Sequence, residues 1–289
     1  MESDPLSKPD KTCKIEKGSF DRRFHQFYDS DITSDCEFLV GNEKSVIKGH
    51  KLVFSAASTV FYAKFYGDLK ENSVVELSDL EPEGFKKMKQ YIYTGEVSFE
   101  TYDQIIYTLV IGKKYSIPTL ATKCMELLEE GKDTYRLQAL KYYEYLNERS
   151  ISELNQLCER IVEENTFDIL SKEGFLSAKH KTVGWILGFE SLALTSEVEL
   201  FNFVEKWALA KAKPAIPTSA EGFNHIKKDI RFLTMDGEQF ADVATKTTLL
   251  TDGEKLAISL NLLKFGSTSL PEYLSNNRKE RNFTRKQHS

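Results

Sequence analysis

Residues 34–55 read SDCEFLVGNEKSVIKGHKLVFS, and their pattern is the clearest structural signal in the chain. A short apolar run, Cys36–Val40, leads into Gly41-Asn42-Glu43, which are residues typical of a turn. The chain then returns through a second strand-like run at residues 45–48. Two such runs joined by a short polar turn predict a β-hairpin. The apolar residues that follow, up to Tyr66, predict that part of the next stretch is helical.

The pattern extends outward from this hairpin into a third strand and several helices. Val74–Leu77 is another short apolar run, and Pro82 after it suits the first turn of a helix, where its missing N–H is not needed. Apolar residues at helical spacing then recur up to about residue 130. A small sheet clustered early and followed by helices predicts an α+β domain over residues 18–130.

Beyond residue 130 the spacing of apolar residues becomes helical, with no convincing pair of strands. One stripe is formed by Leu154, Leu157, Cys158 and Ile161. We therefore expect an all-α domain over residues 131–263. The two ends of the chain have a different composition: residues 1–17 are polar and residues 264–289 are polar and basic, so we expect both ends to be disordered.

The composition argues against several classes of function. The chain has 289 residues and a net charge of −5 with both signs mixed, so it has no broad basic field for nucleic acid or an anionic membrane. Its four cysteines lie far apart without a CxxC pair, which favours reduced thiols in an intracellular protein. A polar N-terminus and the lack of a long apolar run lead us to expect a soluble cytoplasmic protein, with the nucleus as a second location.

Catalytic and cofactor-binding motifs are absent from the sequence. It contains no GxGxxG, GxxxxGK[ST], GxSxG or HExxH. We therefore predict no catalytic residue, no cofactor and no metal ligand, and we expect that the protein is not an enzyme. Cys124 and Cys158 fall on apolar helical stripes, where a buried and unreactive thiol is the usual state.

Four aromatic residues near the N-terminus share one helical face. They follow Ser19, a good N-cap, and are Phe20, Phe24, Phe27 and Tyr28. Two helical turns cannot bury so much aromatic surface alone. The helix either covers its own domain or packs against a second subunit, and the aromatic load favours a dimer because exposed aromatics would invite aggregation.

Motifs across residues 20–130 resemble, in the right order, those of a BTB (POZ) domain. They are SDCEFLV (34–40), KGHKLVFS (48–55), VFYAKFYGDL (60–69), FKKMKQYIYTGEV (85–97) and KYSIPTL (114–120). The second half resembles the BACK domain that often follows a BTB domain. Its motifs are SKEGF (171–175), EVELFNFVEKWA (197–208) and IRFLTM (230–235). The segment 60–69 is most similar to BTB-BACK proteins that continue into a PHR β-sandwich, whereas neither that sandwich nor a kelch repeat is recognisable in this sequence.

The resemblance implies two binding partners, cullin-3 and a second BTB subunit. BTB domains of ubiquitin ligases bind cullin-3 through a hydrophobic-x-Glu motif after the helix that follows the hairpin, and Leu69-Lys70-Glu71 occupies that position. Leu69 would fill a groove, and Glu71 would take a polar partner at its rim. The alternative is that Leu69 packs locally and Glu71 is a solvated surface charge. The resemblance also implies a homodimer through the N-terminal aromatic helix.

Three polar residues lie in otherwise apolar surroundings: Asp35, His50 and Lys51. They would either form a charged pocket for a partner or fix the turn between strand and helix through internal hydrogen bonds. We favour the structural interpretation, since buried polar groups are routinely paired. His50 has no second histidine and no cysteine at ligand spacing, which argues against a metal site.

The leading hypothesis is a non-catalytic, dimeric substrate adaptor of a cullin-3 RING ubiquitin ligase. It would bind cullin-3, itself or related BTB proteins, and a ubiquitination substrate that the sequence does not identify. One alternative is a cullin-independent BTB scaffold or transcription-linked interaction protein. Another is a regulatory form that dimerises with longer relatives but lacks a substrate reader.

Overall fold

The computed structural model describes residues 24–68, 73–152, 154–211 and 223–285. Residues 1–17, which we expected to be disordered, lie outside this set. Contacts along the chain divide it into two compact units, Met1–Leu128 and Glu129–Ser289. Each unit is described below by itself.

The first unit combines a small sheet with helices. Its strands are β1 (Cys36–Val40), β2 (Ser45–Gly49) and β3 (Val74–Leu77). Its helices are α1 (His25–Tyr28), α2 (Lys51–Ala57), α3 (Thr59–Tyr66), α4 (Pro82–Thr94), α5 (Tyr102–Lys114) and α6 (Pro118–Glu130). The predicted α+β class of the first half is therefore confirmed.

The three strands are ordered β2-β1-β3, with β1 in the centre. β1 and β2 form the predicted antiparallel hairpin, in which Phe38 lies opposite Ile47. β3 pairs with the other edge of β1 in the parallel direction, so that Phe38 also lies opposite Val75. Alternate residues of β1 are buried, because successive side chains of a strand point to opposite faces of the sheet. The buried positions Cys36, Phe38 and Val40 direct that face toward the helices.

Phe38 is the centre of an aromatic core. Its ring centroid lies 4.7 Å from Phe54, 5.6 Å from Phe61, 6.1 Å from Phe65 and 4.8 Å from Phe85. All five side chains are buried. The tilted and edge-on arrangements are those that aromatic pairs prefer. One strand residue thereby ties α2, α3 and α4 to the sheet.

Two small residues shape the connection from β2 to α3. A Cβ atom at Gly49 would collide with the ring of Phe54, so this position requires glycine. Ser58 has an extended backbone and divides the predicted helical stretch into α2 and α3. Its Oγ accepts a hydrogen bond from the N–H of Phe61 at 3.2 Å and donates to the carbonyl oxygen of Tyr115 at 2.5 Å. The break therefore also anchors α3 to the end of α5.

Helix α4 begins where the sequence predicts, and a glycine follows its end. Pro82 occupies its first turn, and Gly95 follows its last residue with a φ of 73°. That left-handed conformation is open to glycine without steric cost. Gly84, on the side of α4 that faces α5, allows close packing, because a Cβ atom there would lie 2.7 Å from the backbone of Tyr107.

The described residues of the second unit form helices and one short strand pair. Its helices are α7 (Lys132–Tyr135), α8 (Ala139–Glu148), α9 (Asn155–Glu164), α10 (Thr166–Leu170), α11 (Glu173–Ser177), α12 (His180–Leu187), α13 (Glu197–Lys211), α14 (Asn224–Lys227), α15 (Gly237–Lys246) and α16 (Asp252–Leu263). Its strands are β4 (Ser191–Leu192) and β5 (Asn282–Phe283). Trp207 on α13 is fully buried, and its Nε1 donates a hydrogen bond to the carbonyl oxygen of Ala178 at 2.9 Å.

The C-terminal residues differ from the expectation. We expected residues 264–289 to be disordered and no strand pair in the second half. Residues 264–285 instead follow a defined path within the second unit, where β5 pairs in parallel with β4. A basic composition predicts a disordered segment because charged side chains usually stay in water. Arg281 is an exception, since its side chain is buried.

Arg281 holds this segment through a network of buried partners. Its Nε donates to Oε2 of Glu197 at 3.0 Å, and its Nη2 donates to the carbonyl oxygen of Asp229 at 2.8 Å. Its Nη1 donates to the carbonyl oxygen of Phe189. The other oxygen of Glu197 accepts from the backbone N–H of Arg231 at 2.8 Å. Because both charges are paired and hydrogen-bonded, their burial is tolerated.

A second buried ion pair lies at the start of α16. Nζ of Lys227 donates to Oε1 of Glu254 at 2.8 Å, and both side chains are 3% exposed. Glu254 also forms a reciprocal capping box with Thr251, the residue before the helix. Burial alone would raise the pKa of the Glu254 carboxyl, but the hydrogen bonds from Lys227 and Thr251 lower it below its ordinary value. Nζ of Lys227 also lies 5.5 Å from the ring centroid of Tyr273 in the C-terminal segment.

Candidate protein-interaction surfaces

The aromatic helix α1 packs mainly against its own domain. The ring of Phe27 lies 5.3 Å from that of His50, and the ring of Tyr28 lies 6.4 Å from that of Tyr93. Phe24, just before the helix, is 42% exposed. Phe27 and Tyr28 thus contact their own domain but stay half-exposed, so their part in a dimer interface stays a prediction. Phe24 is the aromatic residue that projects, and its part in a dimer interface stays a prediction.

A buried lysine next to α1 was not singled out by the sequence analysis. Nζ of Lys89 on α4 lies 5.6 Å from the ring centroids of both Tyr28 and Tyr93. Burial lowers the pKa of Lys89, and the charges of Asp31 and Asp29 oppose that shift. A cation between two aromatic rings contributes to docking of the helix through cation–π attraction. A pattern of apolar spacing cannot indicate such a contact, because lysine usually lies in solvent.

Asp35, His50 and Lys51 meet where β2 leads into α2. Oδ1 of Asp35 accepts from the backbone N–H of Lys51 at 2.8 Å. The hydroxyl of Tyr93 accepts from the backbone N–H of His50 at 2.9 Å and lies 2.9 Å from its Nδ1. Nζ of Lys51 donates to Oγ of Ser73 at 3.0 Å. These partners all belong to the same domain, and they support the structural interpretation over a pocket for a partner.

The predicted cullin-binding residues, Leu69 and Glu71, lie outside the described residues, as does Phe20 of the predicted dimer surface. The structure describes the helix before them, α3, in full, and the chain as far as Asp68. Gly67 ends that helix by donating its N–H to the carbonyl oxygen of Ala63 at 3.0 Å. The surface of α3 therefore leads toward the predicted motif at residues 69–71.

Helix α3 exposes two tyrosines that the sequence analysis overlooked as site residues. Phe61 and Phe65 face the core, whereas Tyr62 and Tyr66 are 57% and 49% exposed, with ring centroids 5.9 Å apart. Residues four apart lie on the same face of a helix. The sequence already indicates this exposure, because Phe61 and Phe65 lie on one face of the helix. The two tyrosines, each one residue further on, lie on a different face. The outer face of α3 is thus an aromatic surface.

The second unit contains a groove between its first helices and α11. Its volume is about 500 Å³, and its lining includes Leu137, Leu140, Tyr145, Ile169 and Phe175. Charged residues stand at its rim: Oε1 of Glu144 accepts from the backbone N–H of Lys179 at 2.7 Å. The lining thus combines apolar side chains with charged ones, as the surfaces of protein interfaces do.

The reactivity of the described cysteines depends on their burial. Three cysteines, Cys36, Cys124 and Cys158, are buried, and burial raises the pKa of each thiol to about 12. A thiol with such a pKa is a poor nucleophile near neutral pH. Among the residues that the structure describes, no group of three potential metal ligands comes together. Within the same residues, no helix combines the length and apolar character needed to span a bilayer.

Two protein families match the chain in succession. The family model for the BTB/POZ domain matches residues 24–132, and the model for the BACK domain (BTB And C-terminal Kelch) matches residues 139–244. The first match contains the aromatic core, the polar junction at His50 and the exposed face of α3. The second contains most of the groove, from Leu140 onward, and the long helix α13.

Two curated relatives of this chain are BTB/POZ domain-containing proteins. BTB/POZ domain-containing protein 6 of Homo sapiens is 32% identical over 241 residues, which are 81% of this chain and 44% of that protein. BTB/POZ domain-containing protein 3 of Homo sapiens is 30% identical over 235 residues, 78% of this chain and 44% of that protein. The chain therefore spans less than half the length of these curated relatives.

A solved structure of a BTB domain, that of zebrafish PATZ1, is 19% identical, with a TM-score of 0.32 over 37% of this chain and 84% of that chain. Assignment to a family rests instead on the two matched models and on the relatives at 30–32% identity. The domain content is that of a protein-interaction module. The resemblance seen in the sequence is therefore confirmed, and this chain belongs to the BTB-BACK proteins.

Proposed function

We propose that this chain is a non-catalytic adaptor that dimerises through its BTB domain and recruits cullin-3 to a ubiquitination substrate. It would act in the cytoplasm, with the nucleus as a second location. The BTB-BACK domain content supports an adaptor role. In this proposal the chemistry of ubiquitin transfer belongs to other subunits, and the chain supplies position.

The observation that carries the proposal is the outer face of α3 and its continuation. Tyr62 and Tyr66 are exposed on that face, and Leu69-Lys70-Glu71 begins three residues after Tyr66. Large exposed aromatics are enriched among residues that dominate binding energy in protein interfaces. A leucine that fills a groove and a carboxylate at the rim would extend this surface into a partner. The two exposed tyrosines have no evident purpose within the domain.

Dimerisation would multiply the effect of this surface. A dimer carries two cullin sites and two substrate sites, so binding at the second site becomes intramolecular and its effective concentration rises. Phe24 is the described aromatic residue available for the subunit interface. Related BTB proteins would be able to take the place of the second copy.

The test measures the affinity of the purified full chain for the N-terminal region of cullin-3 by calorimetry. The variant Leu69→Asp with Glu71→Lys should weaken binding at least tenfold, and Tyr62→Ala with Tyr66→Ala should do the same. A matched control, Leu209→Asp with Glu238→Lys, changes an exposed leucine and an exposed glutamate of the second unit and should leave affinity unchanged. Sedimentation of each variant checks that it remains folded and dimeric.

A folded, dimeric wild-type chain that does not bind cullin-3 would overturn the proposal. It would support a cullin-independent scaffold instead. Capture of a longer BTB-BACK protein in mixed dimers, with cullin-3 bound but no substrate of its own, would identify the regulatory form. The variant Phe24→Asp should lower the fraction of dimer at a given concentration.

A further inference from the structure

Helix α16 of the second unit exposes a stripe of leucines. Leu256, Leu260 and Leu263 are 61%, 38% and 84% exposed. They are spaced by four and three residues, so they lie along one face. The opposite face is fixed to the unit, because Glu254, Ile258 and Asn261 are buried. The stripe is thus held outward by a well-anchored helix.

Three exposed leucines on one helical face form a larger apolar surface than a single exposed residue. Single exposed apolar residues are ordinary, but several in contact on a soluble protein usually mark an interaction site. Phe265, just after the helix, is also 53% exposed and extends the apolar surface. The matched BACK region ends at residue 244, before this helix begins. The stripe is therefore a surface separate from the ones considered above.

We propose that this stripe pairs in antiparallel fashion with the same helix of a second copy of the chain. Consider a two-fold axis that crosses the helix pair level with Ile258. Leu256 of one copy then lies opposite Leu260 of the other, and Leu263 lies opposite Gly253. A two-fold contact brings the same patch of each copy together, so the leucines bury one another.

The charges on this face suit a second copy in that register. Exposed Asp252 opens the helix, and exposed Lys264 follows its last residue. In the antiparallel register each Asp252 lies opposite the Lys264 of the other copy, which gives an ion pair at both ends of the contact. Lys255, the other exposed or half-exposed cation of the helix, lies to the side of the stripe rather than within it. Charge complementarity thus selects a copy of this chain as the occupant.

Gly253 provides a second reason for this register. A Cβ atom built at Gly253 meets nothing within 4 Å, so no contact inside the chain requires glycine there. Its backbone belongs to the helix, where glycine is less favourable than alanine. A missing side chain leaves a shallow hole on the helix surface. Leu263 of the second copy fits that hole, which accounts for the glycine.

The contact is expected to be weak by itself. A helix of 12 residues is only about 18 Å long, and a pair of such helices buries less than the roughly 1,000 Å² of a stable interface. It would operate where the copies are already brought together or are locally concentrated. The inference does not depend on binding to cullin-3.

The experiment is zero-length carbodiimide cross-linking of the full chain, read by mass spectrometry. Asp252 and Lys264 of one chain lie about 18 Å apart along the helix axis, too far for a direct amide. A peptide that joins Asp252 to Lys264 must therefore connect two chains. We expect this cross-link in the wild type at a chain concentration of about 100 µM, well below the millimolar range of intramolecular contacts.

Variants separate the proposed pairing from accidental cross-linking. Leu256→Asp with Leu263→Asp should reduce the yield at least tenfold, and the matched control Leu209→Asp, an exposed leucine of α13, should leave it unchanged. Gly253→Gln should reduce the yield without lowering the melting temperature. The single variants Asp252→Lys and Lys264→Asp should each weaken self-association in sedimentation, and an equal mixture of the two should restore it.

Two outcomes would overturn the pairing. One is a folded wild type that gives no Asp252–Lys264 cross-link, and the other is a cross-link that persists in the Leu256→Asp, Leu263→Asp variant. Capture of the wild type by anionic vesicles, abolished by the same double variant and without any cross-link, would assign the stripe to a membrane surface instead. A dimer that forms through the BTB domain but shows no cross-link also counts against the pairing, while leaving the adaptor proposal intact.

Discussion

The two units of this chain stabilise their interiors by different means. The first is organised around an apolar cluster, in which the ring of Phe38 contacts four other phenylalanines. The second encloses two buried ion pairs, Arg281–Glu197 and Lys227–Glu254. Aromatic packing depends on shape, whereas buried charges depend on complete pairing. The contribution of the aromatic cluster to the free energy of unfolding should therefore change little with pH, whereas that of the two ion pairs should depend on it.

The partners in the two interiors also differ in their separation along the sequence. Phe38 and its aromatic partners lie within 48 positions of one another, on elements that follow in succession. Arg281 and Glu197 are 84 positions apart in the sequence. Charged partners at such separation impose a precise requirement on the folded chain, since loss of one leaves the other buried and unpaired.

The largest effect is expected from Phe38→Ala. Removal of a fully buried ring leaves a cavity among four other rings, and the free energy of unfolding of the first unit should fall by about 4 to 5 kcal/mol. Urea denaturation with hydrogen exchange read on β1 measures the change. The control is Leu39→Ala on the other face of the strand, which should cost less than half as much. Equal losses in the two variants would contradict a core centred on Phe38.

A somewhat smaller effect is expected from Arg281→Met. The substitution keeps much of the side-chain volume but leaves Glu197 buried without its cation, and the free energy of unfolding of the second unit should fall by about 3 to 4 kcal/mol. Exchange protection should be lost first along residues 264–285. Arg278→Met, at an exposed arginine three positions earlier, should change stability by less than about 0.5 kcal/mol. Retained protection in the Arg281 variant would show that the segment is held by other contacts.

The smallest effect, but the most specific, is the pH dependence of Lys227→Met. The folded pKa of Glu254 lies below its ordinary value, so its contribution to stability is present above about pH 4.3 and is lost as the pH falls through the folded pKa. Without Lys227, burial dominates and Glu254 should take up a proton on folding. The variant should be about 2 to 3 kcal/mol less stable at pH 7.

That stability gap should narrow at pH 4, because acid removes the advantage of the wild type and neutralises the buried carboxylate of the variant. Urea denaturation at the two pH values measures it. Lys228→Met, at the exposed neighbouring lysine, should follow the wild type at both. A gap that stays constant with pH would mean that Glu254 does not carry the interaction.

The sequence predicted the first unit better than the second, for a physical reason. The short apolar run of β1 and the proline at position 82 report local geometry, and these predictions hold in the structure. The short apolar run at residues 74–77 predicts strand β3, whereas its pairing with β1 joins distant parts of the sequence and is not predicted by a local pattern. By contrast, nothing local distinguishes Arg281 from the exposed Arg278. Two charged residues 84 positions apart produce no periodic pattern in the sequence. The basic composition therefore suggested disorder at a segment that forms a buried ion pair in the structure.

The candidate surfaces follow the same rule. The polar junction at His50 was predicted because its residues are close in sequence to the hairpin, and the structure supplies their partners. Lys89 was missed because lysine is rarely buried between rings. The exposed Tyr62 and Tyr66 were present in a recognised motif, yet their outward direction becomes evident only once Phe61 and Phe65 are known to face the core.

Arg281 also has a consequence for how damage to the gene would be interpreted. It lies 37 positions beyond the last residue of the matched BACK region, in a stretch that a domain map would treat as dispensable. A premature stop codon or a proteolytic cut between residues 264 and 280 would nevertheless strand Glu197 in the interior without its cation. Such an allele should behave as a folding defect of the whole second unit, and cellular quality control should remove its product.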